Sequence, residues 1–535
     1  MRLIPLLGED KTNKEITALL RIIVREAEPR QPKVMFDAIS GKGGVRTTDS
    51  RFLMNELPVP CARGVGESQH ACYNRTFTGG TLHNAEDSMA EIFPFHAIRY
   101  DARRVPLDCA LTQPYDKITS EMQARYYAAS SYNLISIEKG KTLATDSTAD
   151  NAYTRASRAL EDWLAQGILV RDATPAIYVY FQDFALPGTT RPLQRRGFIA
   201  LGRLADYDEG VVFRHERTLT APKADRLELL RHTRAQTGQL FLLYDDPSRR
   251  VDALLEESAK APPAAEVTDE FGVIHRLWAI TDAAKIERIA AAMAAQKLVI
   301  ADGHHRYETA LAYRDECRAK AARKNPDAAY ERAMWTCFNI CQDGRQDGIK
   351  ILPTHRVVRN LPGFSVDHFL KAASAYFNWY SYPFTSTEER LEAYADFSRD
   401  LAGRGRAGHV IGMYAAGTAF YLLVLRDGRE LERWLPDVSP AQRQLDVVLL
   451  HRLLLENCLG VTAERVAAEA NVSYEREMDA AIADVDSGAA QVAFLLNAVR
   501  VKQVTDLALA GEVLPQKSTD FYPKLLSGLC IYRLE

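Results

Sequence analysis

The sequence holds no CxxC pair, no long run of one charge, no GxxxxGK[ST] phosphate loop and no kinase-type glycine loop. Each absence closes off a class. Eight cysteines without regular spacing in 535 residues make neither a disulfide framework nor a zinc ribbon, so reduced thiols and a cytoplasmic setting are expected. The net charge is −3, from 67 basic and 70 acidic residues, and the missing basic run argues against a dedicated nucleic-acid binder. The longest apolar run, Val410 to Leu425, is interrupted by Gly412 and Gly417. It suits two strands better than a membrane helix, so no membrane partner is expected. The N-terminus lacks the basic-then-apolar layout of a signal peptide.

What is present is a globular composition, 47% hydrophobic and 26% charged, in a chain long enough for two to four domains. The patterning predicts a mixed α/β (α+β) multi-domain protein. Residues 1–88 are rich in Gly, Ser, Thr and Asn beyond one short amphipathic stretch at Ile16 to Val24. They read as a disordered extension, or as upstream sequence translated through a misassigned start with Met89 the true beginning. An N-terminal α/β domain is expected over 89–245 and a middle domain over 246–360. An α/β insertion over 361–430 and a helical C-terminal region over 431–535 complete the expected layout.

The most informative stretch is LVIADGHHRYETALAYRDE, Leu298 to Glu316. A short apolar run reads as a buried strand, and Asp302-Gly303 as a turn in which Gly303 takes a positive φ without steric cost. A helix is expected to open at His304 or His305. The first N–H groups of a helix have no internal partner, and its dipole favours negative charge there, so this is an anion site. Gly303, His304, His305 and Arg306 are its candidate phosphate-binding residues, and Asp302 is placed to hold Mg²⁺ against the phosphates. Glu308, four residues after His304, shares its helix face and is a candidate acid–base group.

Two further polar clusters stand out. RHERTLTAPKADRLELLRHTRAQTG, from Arg214, packs His215, Glu216, Arg217 and Lys223 into one segment. So many cations usually mean a solvated face. They form a phosphate clamp, with Arg217 and Lys223 on phosphate and Glu216 or His215 in acid–base work, only on converging with the helix at His304. In the tail, Pro515 to Asp520 and Tyr522-Pro523-Lys524 place two lysines and two hydroxyls in a Pro-bounded loop, where Lys517 and Ser518 are candidate anion ligands. Thr354-His355-Arg356, between apolar flanks, is a candidate site edge. The shared-site reading requires Glu216, Asp302, His304 and Lys517 to line one cleft.

The pieces EIFPFHAIRYD, QPYDKI, RHERTLTAPKADRLELLRHTRA, TDEFGVIHRLW, IADGHHRYETALAYRDE, LPTHRVV and PQKSTDFYPKL occur in this order from Met89 onward. In them the chain resembles a large bacterial family catalogued as a domain of unknown function, number 1015. QPYD, Gln113 to Asp116, departs from the family pattern, which usually has a second Pro. The DGHHR box at Asp302 to Arg306 is similar to the phosphate-binding box of the ParB/sulfiredoxin-like fold, which includes archaeal free-serine kinases. That similarity implies a nucleotide-binding element in the middle region. Sulfiredoxin chemistry itself is not implied, because its box carries a Cys where this chain has His304.

Three functions follow as expectations. The first is a small-molecule kinase using ATP, ADP or pyrophosphate on a hydroxylated metabolite such as free serine, since phosphoryl transfer needs mainly positioning and charge neutralisation. The second is a ParB-like regulator that binds a nucleotide without catalysis. The third, a metal-dependent hydrolase, lacks the clustered His/Asp spacing of such sites.

Overall fold

The structure, a computed structural model, describes residues 89–534 apart from 217, 219, 324, 342–347, 468–469 and 516. The expected extension over 1–88 and the stretch from Ile16 to Val24 therefore lie outside the described residues.

The main element is a nine-stranded mixed sheet. Its strands in chain order are β1 (Ile92–Phe93), β2 (Ile177–Phe184), β3 (Leu193–Arg203), β4 (Val212–Phe213), β5 (Leu240–Tyr244), β6 (Ala265–Thr268), β7 (Ile274–Ile280), β8 (Leu298–Asp302) and β9 (Arg332–Asn339). They lie in the order β4-β8-β5-β9-β3-β2-β7-β6, with β1 alongside β3. Side chains alternate between two apolar cores. Tyr178, Tyr180, Ile199, Leu201, Val299 and Ala301 enter one, and Ile177, Val179, Phe198, Ala200, Leu298 and Ile300 enter the other. A strand apolar on both faces reads as a continuous hydrophobic run, which is why Leu298 to Ala301 shows no polar alternation.

Three helices frame the site: α1 (Ala152–Ala165), α2 (Thr220–Thr233) and α3 (His304–Lys320). Asn151 starts α1 with a capping box shared with Thr154, and α2 packs against both α1 and α3. A second, six-stranded sheet is wholly antiparallel. Its strands are β10 (His355–Val358), β11 (Phe377–Pro383), β12 (Val410–Ala415), β13 (Ala419–Leu425), β14 (Val472–Glu475) and β15 (Val492–Leu495), in the order β11-β13-β12-β15-β10-β14. Helices α4 (Val366–Ala373) and α5 (Thr387–Arg404), capped by Ser365 and Ser386, pack on it. Val410 to Leu425 is a hairpin, and no helix among the described residues is long and apolar enough to cross a membrane.

The mixed α/β class stands, while several finer expectations differ from the structure. Strands from both sides of residue 245 share the main sheet, with β5 lying between β8 and β9, so the sheet has no break there. The second sheet likewise joins strands from both sides of residue 430, and the C-terminal region contributes β14 and β15 beside its helices. Tyr132 to Ile137 reads as an alternating strand, but Ile135–Glu138 is a helical turn. The Asn133 side chain accepts the Ile135 N–H at 2.9 Å and donates to the Cys109 carbonyl, which favours a turn over a ladder.

Candidate functional site

Because β4 and β8 are parallel neighbours, Arg214 to Glu216 and Asp302 to His304 leave the sheet at the same edge. Crevices beyond the carboxyl ends of such strands are the usual ligand positions in α/β sheets. Gly303 makes the turn at φ +99°, and α3 opens at His304 with no side chain capping its first N–H groups. A Cβ on Gly303 would lie 3.1 Å from Arg306 Nε and from Leu240 Cδ2. Gly303→Ala is therefore expected to cost about 1–3 kcal/mol and to displace Arg306. A thermal midpoint equal to the parent's would contradict this account of the turn.

The C-terminal segment closes the crevice. The Leu514 N–H donates to the His215 carbonyl at 2.8 Å, and Glu216 Oε1 accepts the Lys517 N–H at 3.2 Å. His215 Nδ1 lies 2.7 Å from the Ile300 carbonyl, which can only accept, so Nδ1 donates and Nε2 accepts the Thr519 hydroxyl at 2.9 Å. Burial holds the His215 imidazole down to about 4, hence neutral near neutral pH. His304 is also pushed well down, by burial and then by His215, and its Nε2 accepts the His215 N–H.

At the centre is a lattice of charges. Lys524 Nζ lies 2.9 Å from Asp520 and 3.7 Å from Asp302. Lys117 and Arg476 reach Asp520 at 3.4 Å and 2.8 Å, and Arg306 reaches Asp302 at 3.6 Å. Burial opposes charge on Asp302, yet Lys524, Arg306 and Lys117 hold its carboxyl well below the usual range. Asp520 is drawn down to about 2 in the same way. Lys117 is pushed down to about 8 by burial and by Lys524. On the opposite wall, Arg226 stacks 4.3 Å over the Tyr115 ring and donates to the Glu138 carbonyl, and Tyr153 donates to Asp225 at 2.9 Å. These walls enclose a cleft of about 850 Å³, within the range of small-molecule and cofactor sites.

Glu216, Asp302, Gly303, His304, His305, Arg306 and Lys517 all line this cleft. Burial raises the Glu216 carboxyl and lowers the His305 imidazole. Other candidates stand elsewhere. His215 is 1% exposed and sits behind the wall, held by Ile300 and Thr519. Glu308 accepts from Thr218 and from Lys223 at 2.9 Å and pairs with Arg214. Glu308 and Lys223 thus neutralise each other outside the cleft, and neither faces it. Ser518 turns away, donates to the Pro515 carbonyl and lines a second cavity with Thr354 and Arg356. His355 is buried in β10, its Nδ1 accepting the Leu496 N–H. Arg217 lies outside the described residues.

The sequence reading gave no role to Lys117 or Asp520, none to Arg226 beyond the cation cluster that begins at Arg214, and none to Lys524 beyond the anion-binding loop. Lys117 sits in QPYDKI, a signal that was present but had no partner in view. The residues do not fit a protein-held Mg²⁺. The Asp302 carboxylate already faces two cations, and no group of three or more His, Cys, Asp or Glu among the described residues is arranged to hold a metal.

The model of the family described as "Protein of unknown function (DUF1015)" matches residues 92–448, so PQKSTDFYPKL lies beyond the matched span. No curated protein matches the chain. Among solved structures, a conserved hypothetical protein from Pyrococcus furiosus is similar at 12% identity, covering 60% of this chain and 92% of that one, with a TM-score of 0.28. Free serine kinase in complex with AMP is similar at 12% identity, over 60% of this chain and 89% of that one, TM-score 0.28. SbnI with C-terminal truncation from Staphylococcus aureus is similar at 11% identity, over 62% and 87%, TM-score 0.28. Scores of this size decide nothing about function.

Proposed function

The chain belongs to the DUF1015 family of proteins of unknown function, and from that premise we propose that the cleft at the head of α3 transfers a phosphoryl group from a nucleotide or pyrophosphate to a small hydroxylated metabolite. One observation carries the reading. Three segments far apart in sequence, around Glu216, Asp302 to Arg306 and Lys517 to Lys524, bring an uncapped helix N-terminus, several cations and a carboxyl raised by burial to one cleft.

In this reading the donor phosphates lie against the first N–H groups of α3, with His305, Arg306, Lys517 and Lys117 around them. Glu216 takes the proton of the acceptor hydroxyl. The hydroxyl oxygen forms its bond to phosphorus as the bond to the departing nucleotide or phosphate oxygen breaks, and the cations stabilise the negative charge left on that oxygen. Mg²⁺ arrives on the donor's phosphates rather than in a site of the protein. Free serine is the first acceptor to test, because of the local similarity at Asp302 to Arg306.

Thermal-shift titration of the full chain with ATP, ADP, CTP and pyrophosphate, each with and without Mg²⁺, tests the binding step. A shift reduced in Lys117→Met and Lys517→Ala is expected, followed by phosphoserine formation in ³¹P spectra. Lys117 loses its charge as pH rises through about 8. Donor affinity is accordingly expected to fall by about tenfold between pH 7 and pH 9. Binding without turnover on any acceptor would favour the nucleotide-responsive regulator. No shift with any ligand would end both readings.

A further inference from the structure

The second sheet carries a cavity of its own, about 390 Å³, formed where the loop after α5, residues 444–447 and the chain after β15 meet. Its charged lining is one-sided. Arg356, Arg406 and Arg500 face it with His409, and among the described residues Asp446 is the one carboxylate in its wall. Asp446 is already engaged, with an oxygen 2.7 Å from His409 Nδ1. Arg356 is 1% exposed and rises from β10; it donates to the Thr354 carbonyl, has Nε 3.4 Å from His451 Nε2 and lies over the Tyr474 ring, so its position is fixed. Arg406 and Arg500 are exposed at the mouth.

A fixed guanidinium at the base, two exposed ones at the rim and one acid already hydrogen-bonded to His409 make a receptor for negative charge. A guanidinium fork matches a carboxylate or a phosphate with two parallel hydrogen bonds. The volume suits a small metabolite rather than a nucleotide or a peptide, being less than half that of the first cleft. We propose that this cavity binds a small organic polyanion, a di- or tricarboxylate or a phosphorylated metabolite of similar size, through Arg356, Arg406 and Arg500.

The proposal does not depend on the reading of the first cleft, although the two cavities share a wall. Lys517 and Thr519 line the cleft at α3, and Ser518 between them lines this one.

Calorimetric titration of the full chain with citrate, malonate and inorganic phosphate tests the site. Tighter binding of citrate or malonate than of phosphate identifies a carboxylate ligand, and the reverse order a phosphorylated one. Either order supports the site if the variants agree. Arg406→Ala and Arg500→Ala, both at exposed positions, are each expected to weaken the preferred anion about threefold to fivefold. The pair together is expected to weaken it about tenfold or more, with the thermal midpoint of the anion-free chain unchanged. Lys517→Ala, in the other cleft, is expected to leave that anion's affinity as it was. Loss of binding in Lys517→Ala but not in the arginine variants would assign the anion to the first cleft and overturn the proposal. Absence of binding by all three anions at millimolar concentration would overturn it equally.

Discussion

Lys524→Met is expected to lower the stability of the folded chain by about 3–5 kcal/mol at neutral pH, the cost of leaving buried charges without their partner. The Lys524 side chain is 11% exposed, and the Asp520 side chain beside it 6%. Burial opposes the Lys524 ammonium, but Asp302 and Asp520 hold it above its ordinary value. Methionine keeps an unbranched apolar stem of nearly the same length and removes the ammonium. Asp302 and Asp520 would then face each other across the gap, with Arg306, Arg476 and Lys117 left to answer them. The pH dependence fixes the cause. Both carboxyls are depressed in the folded chain, so their contribution is present above the unfolded value of about 4 and is lost as pH falls through the folded values. The gap between parent and variant should therefore be widest near pH 7 and narrow toward pH 3. Chemical denaturation at both pH values measures it, and adding Asp520→Asn should recover part of the loss. A deficit of equal size at both pH values would point to packing rather than charge.

Glu216→Gln is the complementary experiment, with chemistry as its readout. If Glu216 accepts the proton of the substrate hydroxyl, the amide should lower turnover by about 10²- to 10⁴-fold. Donor binding should hold within about twofold, because glutamine still offers an oxygen to the Lys517 N–H. Burial raises the Glu216 carboxyl above its ordinary value, and the group works as a carboxylate. Activity of the parent should accordingly decline as pH falls through that raised value, and the residual activity of Glu216→Gln should lack this limb. Turnover within threefold of the parent would remove Glu216 from the chemistry while leaving the binding site intact.

The residues legible in the sequence were those whose signals are local. An apolar run, a Gly turn and a helical period lie within twenty residues of one another, and they marked β8, Gly303 and the start of α3 correctly. Local reasoning also picked out Glu216 and Lys517, because unusual polar groups between apolar flanks are visible without knowing what they touch. Pairing was not legible. Glu308 stands four residues after His304, yet Lys223 of α2 captures its carboxylate, and only the packing of α2 on α3 reveals that. Lys117 and Asp520 approach across 403 residues, a distance no periodicity spans. That the main sheet continues across residue 245 was hidden for the same reason. A succession of helices and strands looks divisible until β5 is seen between β8 and β9.

The charge lattice around Lys524 also sets an order of manufacture. Synthesis is vectorial, and domains fold as they emerge, N-terminal parts first. Lys117 and Asp302 leave the ribosome long before the lysine and the carboxylate that join them. Through most of translation the pocket is a half-built wall with its cations and its acids not yet matched. The segment that supplies Lys517, Thr519, Asp520 and Lys524 acts as a keystone, set last. A nascent chain halted before this segment would carry every strand of the main sheet and still lack the lysines and the carboxylate that close the cleft.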